Sequence, residues 1–448
     1  MARGTQCVIG AGFAGLAATR ALLKRGIDVH VYEARPDVGG NWLDGVYDST
    51  YLITSRNSTG FPEHPLPSSL PDFPHWTQLR DYLRDYADEF GLRRHIRFRH
   101  EVSSVVPAGA GDGTGGWLVT CRGPGGEEQT RHYAGVVVAN GHHWDKFVPD
   151  KPGTFTGAQI HVKDYQRPED LTGPRVLVVG AGVSGCDLAV EASRTFGTAW
   201  ISMRRTHHFI PKTLFGKPVT DLNSPWMPAW LQRTMSSIAL RVVNGPFSRY
   251  GMPAPDHKLF SEQVTINSQL LYALRHGAVR YRPDIERFDG RTVRFVDGRA
   301  EEFDGIVWAT GYRVSFPFLD HGMFEWDNGI PRRVCGMVPE RMAGLYLFGL
   351  VQLRGGAGPM LARNAELLAD AVRAQDRADR PISTDLARLR APDSRFYLSV
   401  PQMTRQIALE RKVLAVCRRR AHWRDTDPPV GEQCGGGLVR TTAVSAAR

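Results

Sequence analysis

Six glycines carry the first recognisable chemistry of this chain. Gly10, Gly12 and Gly15 stand in the spacing G-x-G-x-x-G, and Gly180, Gly182 and Gly185 repeat it mid-chain. That spacing suits the pyrophosphate of a dinucleotide. The first glycine makes a tight turn, the second lets backbone approach the phosphates, and the third lets a helix pack closely on a strand. The anion then lies at a helix N-terminus, where unpaired N–H groups and the helix dipole favour negative charge. The two fingerprints differ in the residues downstream of them. Glu33 comes 23 residues after Gly10, placed to accept hydrogen bonds from a free ribose. The same count from Gly180 reaches Met203, flanked by Ser202, Arg204 and Arg205. An acid repels a 2′-phosphate, whereas a guanidinium pairs with it bidentately. The second cradle is therefore read as one for NADP, the alternative being that the arginines merely decorate a strand end.

Particular elements must position these residues. Gln6–Ile9 reads as a buried strand, Phe13–Lys24 as a helix, and the alternation "DVHVYE" as a second strand ending at Glu33. Val176–Val179 opens a second unit of the same kind. The predicted fold is α/β, with two Rossmann-like dinucleotide-binding domains. Two such sites in one chain imply a flavin and a pyridine nucleotide working together, the hydride passing from nicotinamide to isoalloxazine.

Bulk properties exclude several other classes. A chain of 448 residues is long enough for two or three cores. No apolar run approaches the ~20 residues that span a bilayer; the longest, Gly344 to Leu353, suits a buried strand. The N-terminal stretch has an early Arg and small apolar residues like a signal peptide, but Arg20 and Lys24 interrupt it, so mature cytoplasmic protein is expected. Six scattered cysteines, without Cys-x-x-Cys or Cys/His clustering, argue against a zinc site, a redox dithiol or a disulfide framework. The net charge of +10 gathers toward the C-terminus, around Arg418 to Arg420, with no nucleic-acid module, and reads as a solvated basic face. Arginine in preference to lysine is the usage of a GC-rich bacterial genome.

A third pattern completes the picture. Phe155, Gly157, His161 and Tyr165 fall in the order F-x-G-x-x-x-H-x-x-x-Y between the two fingerprints, with "GGNW" at Gly39 to Trp42 and "ATGY" at Ala309 to Tyr312. With these features the chain resembles the flavin-containing monooxygenases, class B enzymes that oxygenate nitrogen or sulfur centres. The resemblance runs from Val8 to Tyr312, with a weaker match in "LYLFGLVQLRGGAGP". It implies FAD contacts at Gly10, Gly12, Phe13, Ala14, Gly15, Glu33, Gly40, Asn41, Trp42, Val102, Thr310 and Gln352. It implies NADP contacts at Gly180, Gly182, Ser184, Gly185, Ser202, Arg204, Arg205 and His161, with His161 near the nicotinamide nucleotide rather than acting on substrate. By the same resemblance, NADPH reduces FAD, O2 adds at the flavin C4a, and the terminal oxygen of that hydroperoxide passes to a small organic nucleophile. Related Baeyer–Villiger enzymes typically end the motif in Trp, so Tyr165 tilts toward heteroatom oxygenation without excluding ketones.

The resemblance implies a discontinuous FAD domain, residues 1–150 and 306–420, with an NADPH domain at 170–305 inserted. Residues 206–265 form a Pro- and Trp-rich insertion expected to shape substrate access, touch a membrane or partner, or only pack; the tail 424–448 reads as disordered. The chain departs from the family at "YLITSRNSTGF". If Phe61 and Arg56 hold the family's aromatic and basic positions, the active-site Asn position is Ile53, and Asn57, the candidate catalytic contact, is out of register and reads first as a turn residue. A Baeyer–Villiger oxygenase, an uncoupled NADPH oxidase, a nucleotide-sensing module and assembly as a homodimer stay open; a disulfide reductase lacks its dithiol.

Overall fold

Short apolar runs bounded by glycine become the strands of two five-stranded parallel sheets. The computed structural model describes residues 4–109, 111–222, 229–262 and 264–420; the predicted tail lies outside them. In chain order the first sheet takes β1 (Gln6–Ile9), β2 (Val29–Glu33), β3 (Ile96–Phe98), then β7 (Gly135–Val138), after the antiparallel strands β4 (Glu101–Pro107), β5 (Trp117–Arg122) and β6 (Glu128–Tyr133). The second takes β8 (Ala158–His161), β9 (Val176–Val179), β10 (Ala199–Ser202), β11 (Val279–Arg282) and, after the antiparallel β12 (Ile285–Asp289), β13 (Thr292–Phe295) and β14 (Ala300–Glu302), β15 (Gly305–Trp308). Strand β16 (Leu345–Leu347) returns to the first sheet, giving the orders β16-β7-β1-β2-β3 and β11-β10-β9-β15-β8. Helices α1 (Phe13–Lys24) and α2 (Val183–Phe196) follow the two glycine turns, and α3 (Ala229–Asn244), α4 (Gly358–Gln375) and α5 (Val400–Arg420) come later.

The central strands are buried on both faces, as parallel strands must be when helices and other layers cover them. Period-two alternation divides their side chains. Val8 joins the helical core with Leu16, Ala17 and Leu368, while Cys7 and Ile9 face the β4–β6 sheet with Val105, Trp117 and Val119. The second unit repeats the plan: Val176 and Val178 pack with Leu188 and Ala189, while Leu177 and Val179 meet Ile285, Val293 and Phe295.

Two expected boundaries move. Gly305–Trp308 pairs in parallel with Val176–Val179, and its other edge pairs with Ala158–His161, Trp308 opposite His161. The second unit therefore runs from about Phe155 to about Trp308, and Ala158–His161, within the stretch expected between the domains, is its edge strand. The later boundary moves because an apolar strand ending in a glycine turn reads alike in either sheet, and the earlier one because four residues with one buried side chain are too short to read as a strand; both pairings are non-local.

The insertion is closed at its base by a parallel pair, Phe209–Ile210 with Thr265–Ile266. Ile210, Leu259, Val264 and Ile266 form a small core there, with Ile53 and Leu240 against it. Among the described residues no helix is long and apolar enough to cross a membrane.

Candidate dinucleotide cradles and the seam between them

The first cradle is a chain of close approaches that side chains would prevent. Gly10 has φ +100°, and a Cβ there would lie 2.6 Å from the Ala139 carbonyl oxygen; one on Gly15 would lie 1.9 Å from that of Gly10. Helix α1 thus starts directly beneath the strand end. A Cβ on Gly12 would sit 3.3 Å from the Gly40 Cα, and one on Gly40, at φ +56°, 2.9 Å from the Gly12 Cα. So Gly12 first of all admits the Gly39–Gly40 loop to the cradle, a packing role that the fingerprint alone did not reveal. Asn41 and Trp42 follow on a short helix, Asn41–Asp44, with Trp42 against the main core. Glu33 is buried and accepts from the Ala11 N–H at 2.6 Å and the Arg35 N–H at 3.0 Å. Burial pushes its carboxyl up, and those two N–H donors and the Arg35 charge pull it back. A carboxylate retains further lone pairs for ribose hydroxyls.

The remaining expected FAD contacts fare unequally. Phe13 lies against the Phe61 ring, centroids 4.6 Å apart, and Ala14 meets the Gly349 turn. Val102 is buried among Ile9, Tyr32 and Val105, so its side chain belongs to the core and is no free contact. Thr310 lies beyond β15, at the end of the second sheet, and its hydroxyl donates to the Phe147 carbonyl. Gln352 is half-buried, its N–H bonded to the Phe396 carbonyl at 2.7 Å.

The second cradle repeats the geometry with one difference. Gly180 has φ +115°, and a Cβ would lie 2.3 Å from the Ala309 carbonyl oxygen; on Gly185 it would lie 2.1 Å from that of Gly180. Around Gly182, by contrast, an added Cβ meets nothing within 4 Å. This open space at the start of α2 fits a pyrophosphate. Ser184 is half-buried in the first turn of α2. Ser202 is only 1% exposed and its hydroxyl donates to the Pro283 carbonyl at 2.7 Å, so the structure commits it elsewhere than to a nucleotide. Arg204 is exposed. Arg205 is not idle: it forms an ion pair with Glu262, and its Nε lies 3.8 Å from the Asp256 carboxylate.

Each residue of the 155–165 pattern has a structural task in the second unit. Phe155 enters the core with Leu177 and Trp308. A Cβ on Gly157 would clash with the Asp304 carbonyl oxygen at 2.6 Å. His161 is buried; the Lys163 N–H donates to its Nδ1 at 3.1 Å, so Nε2 carries the proton and donates to the Gly311 carbonyl at 3.1 Å. Burial lowers its pKa, and the neutral ring satisfies both bonds. Tyr165 is fully buried and donates to Glu191 on α2 at 2.6 Å.

Sequence reasoning missed the side chains that join the units. Lys163 donates to Asn41 Oδ1 at 2.7 Å and the Gly45 carbonyl at 3.0 Å, and burial, with Arg35 nearby, lowers its pKa to about 8. Tyr47 donates to Asp187 on α2 at 3.1 Å, and Asn267 donates to the same carboxylate at 2.6 Å. Lys163 stands inside the spaced pattern, a signal that was available; Tyr47 had none. Asn57 is exposed on a single helical turn, Arg56–Thr59, and donates to Asp221 at 3.3 Å. The turn reading fits it, and Ile53 instead faces the insertion core. No group of acids, histidines and cysteines suited to a metal occurs among the described residues.

A family model described as flavin-binding monooxygenase-like matches residues 4–374. Flavin-containing monooxygenase 5 of Oryctolagus cuniculus is 32% identical over 378 residues, 79% of this chain and 70% of that protein. Its Homo sapiens counterpart is 30% identical over 414 residues, 83% and 77% of the two chains. S-allyl-L-cysteine S-oxygenase from Allium sativum superposes with a TM-score of 0.64 at 19% identity, over 94% of this chain and 96% of that one. Cyclohexanone-bound cyclohexanone monooxygenase does so with a TM-score of 0.68 at 18% identity, over 92% and 98%. At such identities the structural matches speak for the fold alone.

Proposed function

Since the chain belongs to the flavin-binding monooxygenase-like family, an oxidoreductase family that uses FAD and NADP(H), we propose that it transfers one oxygen atom from O2 to a nitrogen or sulfur centre of a small organic substrate at the expense of NADPH. The first cradle would hold FAD, with Gly10, Gly12 and Gly15 at the pyrophosphate and Glu33 at the ribose. The second would hold NADP(H), with Gly180, Gly182 and Gly185 at the pyrophosphate and Arg204 at the 2′-phosphate. Bound flavin supplies oxygen activation; the chain supplies placement and exclusion of water. Lys163 holds the Asn41 loop against the second unit, and neutral His161 keeps the Gly311 turn in place without offering a proton to the cleft.

One observation carries the reading. The two cradles are joined through the 155–165 stretch, each of whose patterned residues is bonded or packed in the second unit while Lys163 reaches the first. Tyr165 at the end of that pattern favours heteroatoms over ketones, by resemblance. Mass spectrometry of products formed under 18O2 from amines, thioethers and ketones tests it. Label in an N- or S-oxide is expected. Labelled ester with no heteroatom product would replace the reading by ketone insertion, and NADPH consumption yielding only H2O2 would remove oxygen transfer altogether.

A further inference from the structure

The end of β10 presents two arginines, and only one of them is available. Arg205 is held in an ion pair by Glu262, with Asp256 3.8 Å from its Nε. Both acids come from the insertion, and topology places Glu262 there. The parallel pair sets Phe209 opposite Thr265, and the Thr265 N–H donates to the His208 carbonyl at 3.0 Å. Arg205 and Glu262 lie three residues upstream of His208 and Thr265, respectively, so the pair brings the two ends of the insertion together at the cradle. The insertion's return is also fastened to the cradle: Thr265 Oγ1 donates to the Ala181 carbonyl at 2.7 Å, between Gly180 and Gly182, and Asn267 is bonded to Asp187 on α2. A carboxylate is thus held at the rim where the second fingerprint ends.

We propose that Glu262 weakens the preference of this chain for NADPH over NADH, by occupying Arg205 in competition with the 2′-phosphate of NADPH. This rests on the reading of the second cradle as the NADP(H) site. A 2′-phosphate that reaches Arg205 must displace the Glu262 carboxylate. One that stays on Arg204 still meets the field of an acid beside it. NADH, without the phosphate, meets neither obstacle, so the acid narrows the discrimination that two free guanidinia would give. Arg205 and Glu262 are 42% and 47% exposed, and an exposed ion pair changes an equilibrium constant by at most about fivefold.

The test is the ratio of kcat/KM for NADPH to that for NADH, measured on the FAD-loaded enzyme for the parent, E262Q and R204A. A ratio cancels losses common to both coenzymes. The E262Q ratio is expected to rise roughly three- to fivefold, and direct titration with NADP+ should show tighter binding by a similar factor. The R204A ratio should fall. An unchanged or lower ratio for E262Q, with R204A still falling, overturns the competition and leaves the NADP(H) site standing. If neither R204A nor the double variant R204A/R205A lowers the ratio, the second-cradle reading fails, and this inference with it.

Discussion

Gly182→Ala separates binding from folding more cleanly than any other substitution among the described glycines. The residue caps α2 with φ −66° and ψ 176°, a conformation alanine adopts freely, and a Cβ there meets nothing within 4 Å. Folding should hardly notice: the unfolded chain loses about 0.4–1 kcal/mol of freedom in the variant's favour, and alanine's poorer capping offsets a similar amount. Net stability should stay within about 0.5 kcal/mol, and the melting temperature within about 2 °C. Binding is another matter, because the methyl would fill the space read as the pyrophosphate's. Loss of a single backbone N–H bond to a charged phosphate costs about 1.5–3 kcal/mol, or roughly 10- to 150-fold in NADPH affinity. Gly180→Ala is the contrast, since φ +115° and a carbonyl oxygen 2.3 Å from the new carbon predict damage to the fold itself. The assay is thermal melting, visible flavin absorbance and NADPH titration on the same preparation. If Gly182→Ala binds NADPH as the parent does, the pyrophosphate does not lie over this turn. If the variant instead melts well below the parent, the open space is not open.

Two further substitutions probe the first cradle and the C-terminal layer. Gly12→Val drives a branched side chain at the Gly40 Cα, 3.3 Å from the new Cβ, and should yield colourless protein; a full complement of bound flavin in the variant would displace FAD from this cradle. Glu410 on α5 is 1% exposed, accepts from Gln406 Nε2 at 2.7 Å, and is pushed by burial from 4.5 up to about 7. The folded protein therefore holds this proton more tightly than the unfolded chain does. Its contribution is full below about pH 4.5 and is lost as pH rises through about 7. Glu410→Gln should flatten that slope and gain stability above pH 7, by at most about 3 kcal/mol; chemical denaturation showing the parent's slope in the variant would place the titration elsewhere.

What was legible in the sequence was what is local. The glycine turns and first helices depend on residues within a few positions of each other, and Glu33 on one strand–helix–strand unit of fewer than thirty residues; the structure places them where spacing put them. The sheet to which Gly305–Trp308 belongs depends on pairings across more than a hundred residues, and no local pattern distinguishes it. Side-chain commitments were hardest. Ser202 has the right residue type at the right strand end, yet its hydroxyl turns to Pro283, and Val102 is consumed by the core. Arg204 and Arg205 look equivalent as letters; only the ion pair with Glu262, across the base of the insertion, shows that one is engaged.

The seam between the two units argues for how they work together. It is stitched by polar bonds: Lys163 to Asn41, Tyr47 to Asp187, the Asp48 N–H to the Gln166 carbonyl at 2.8 Å, and the Ser55 N–H to Thr220 Oγ1 at 3.1 Å. Each unit keeps most of its apolar core on either side of its own sheet, Tyr47 and Ile53 of the first unit reaching into cores of the second. Separating the units would expose little of those cores and would return the polar groups to water, which replaces such bonds at small net cost. Polar seams of this kind resemble transient interfaces, and relative motion of the domains is the expectation for them. A flavin site and a nicotinamide site that must meet for reduction, and then exclude water, need that combination: rigid cradles, each built on a pair of glycines, Gly10 with Gly15 and Gly180 with Gly185, that tolerate no side chain, and a joint made of bonds that can be exchanged.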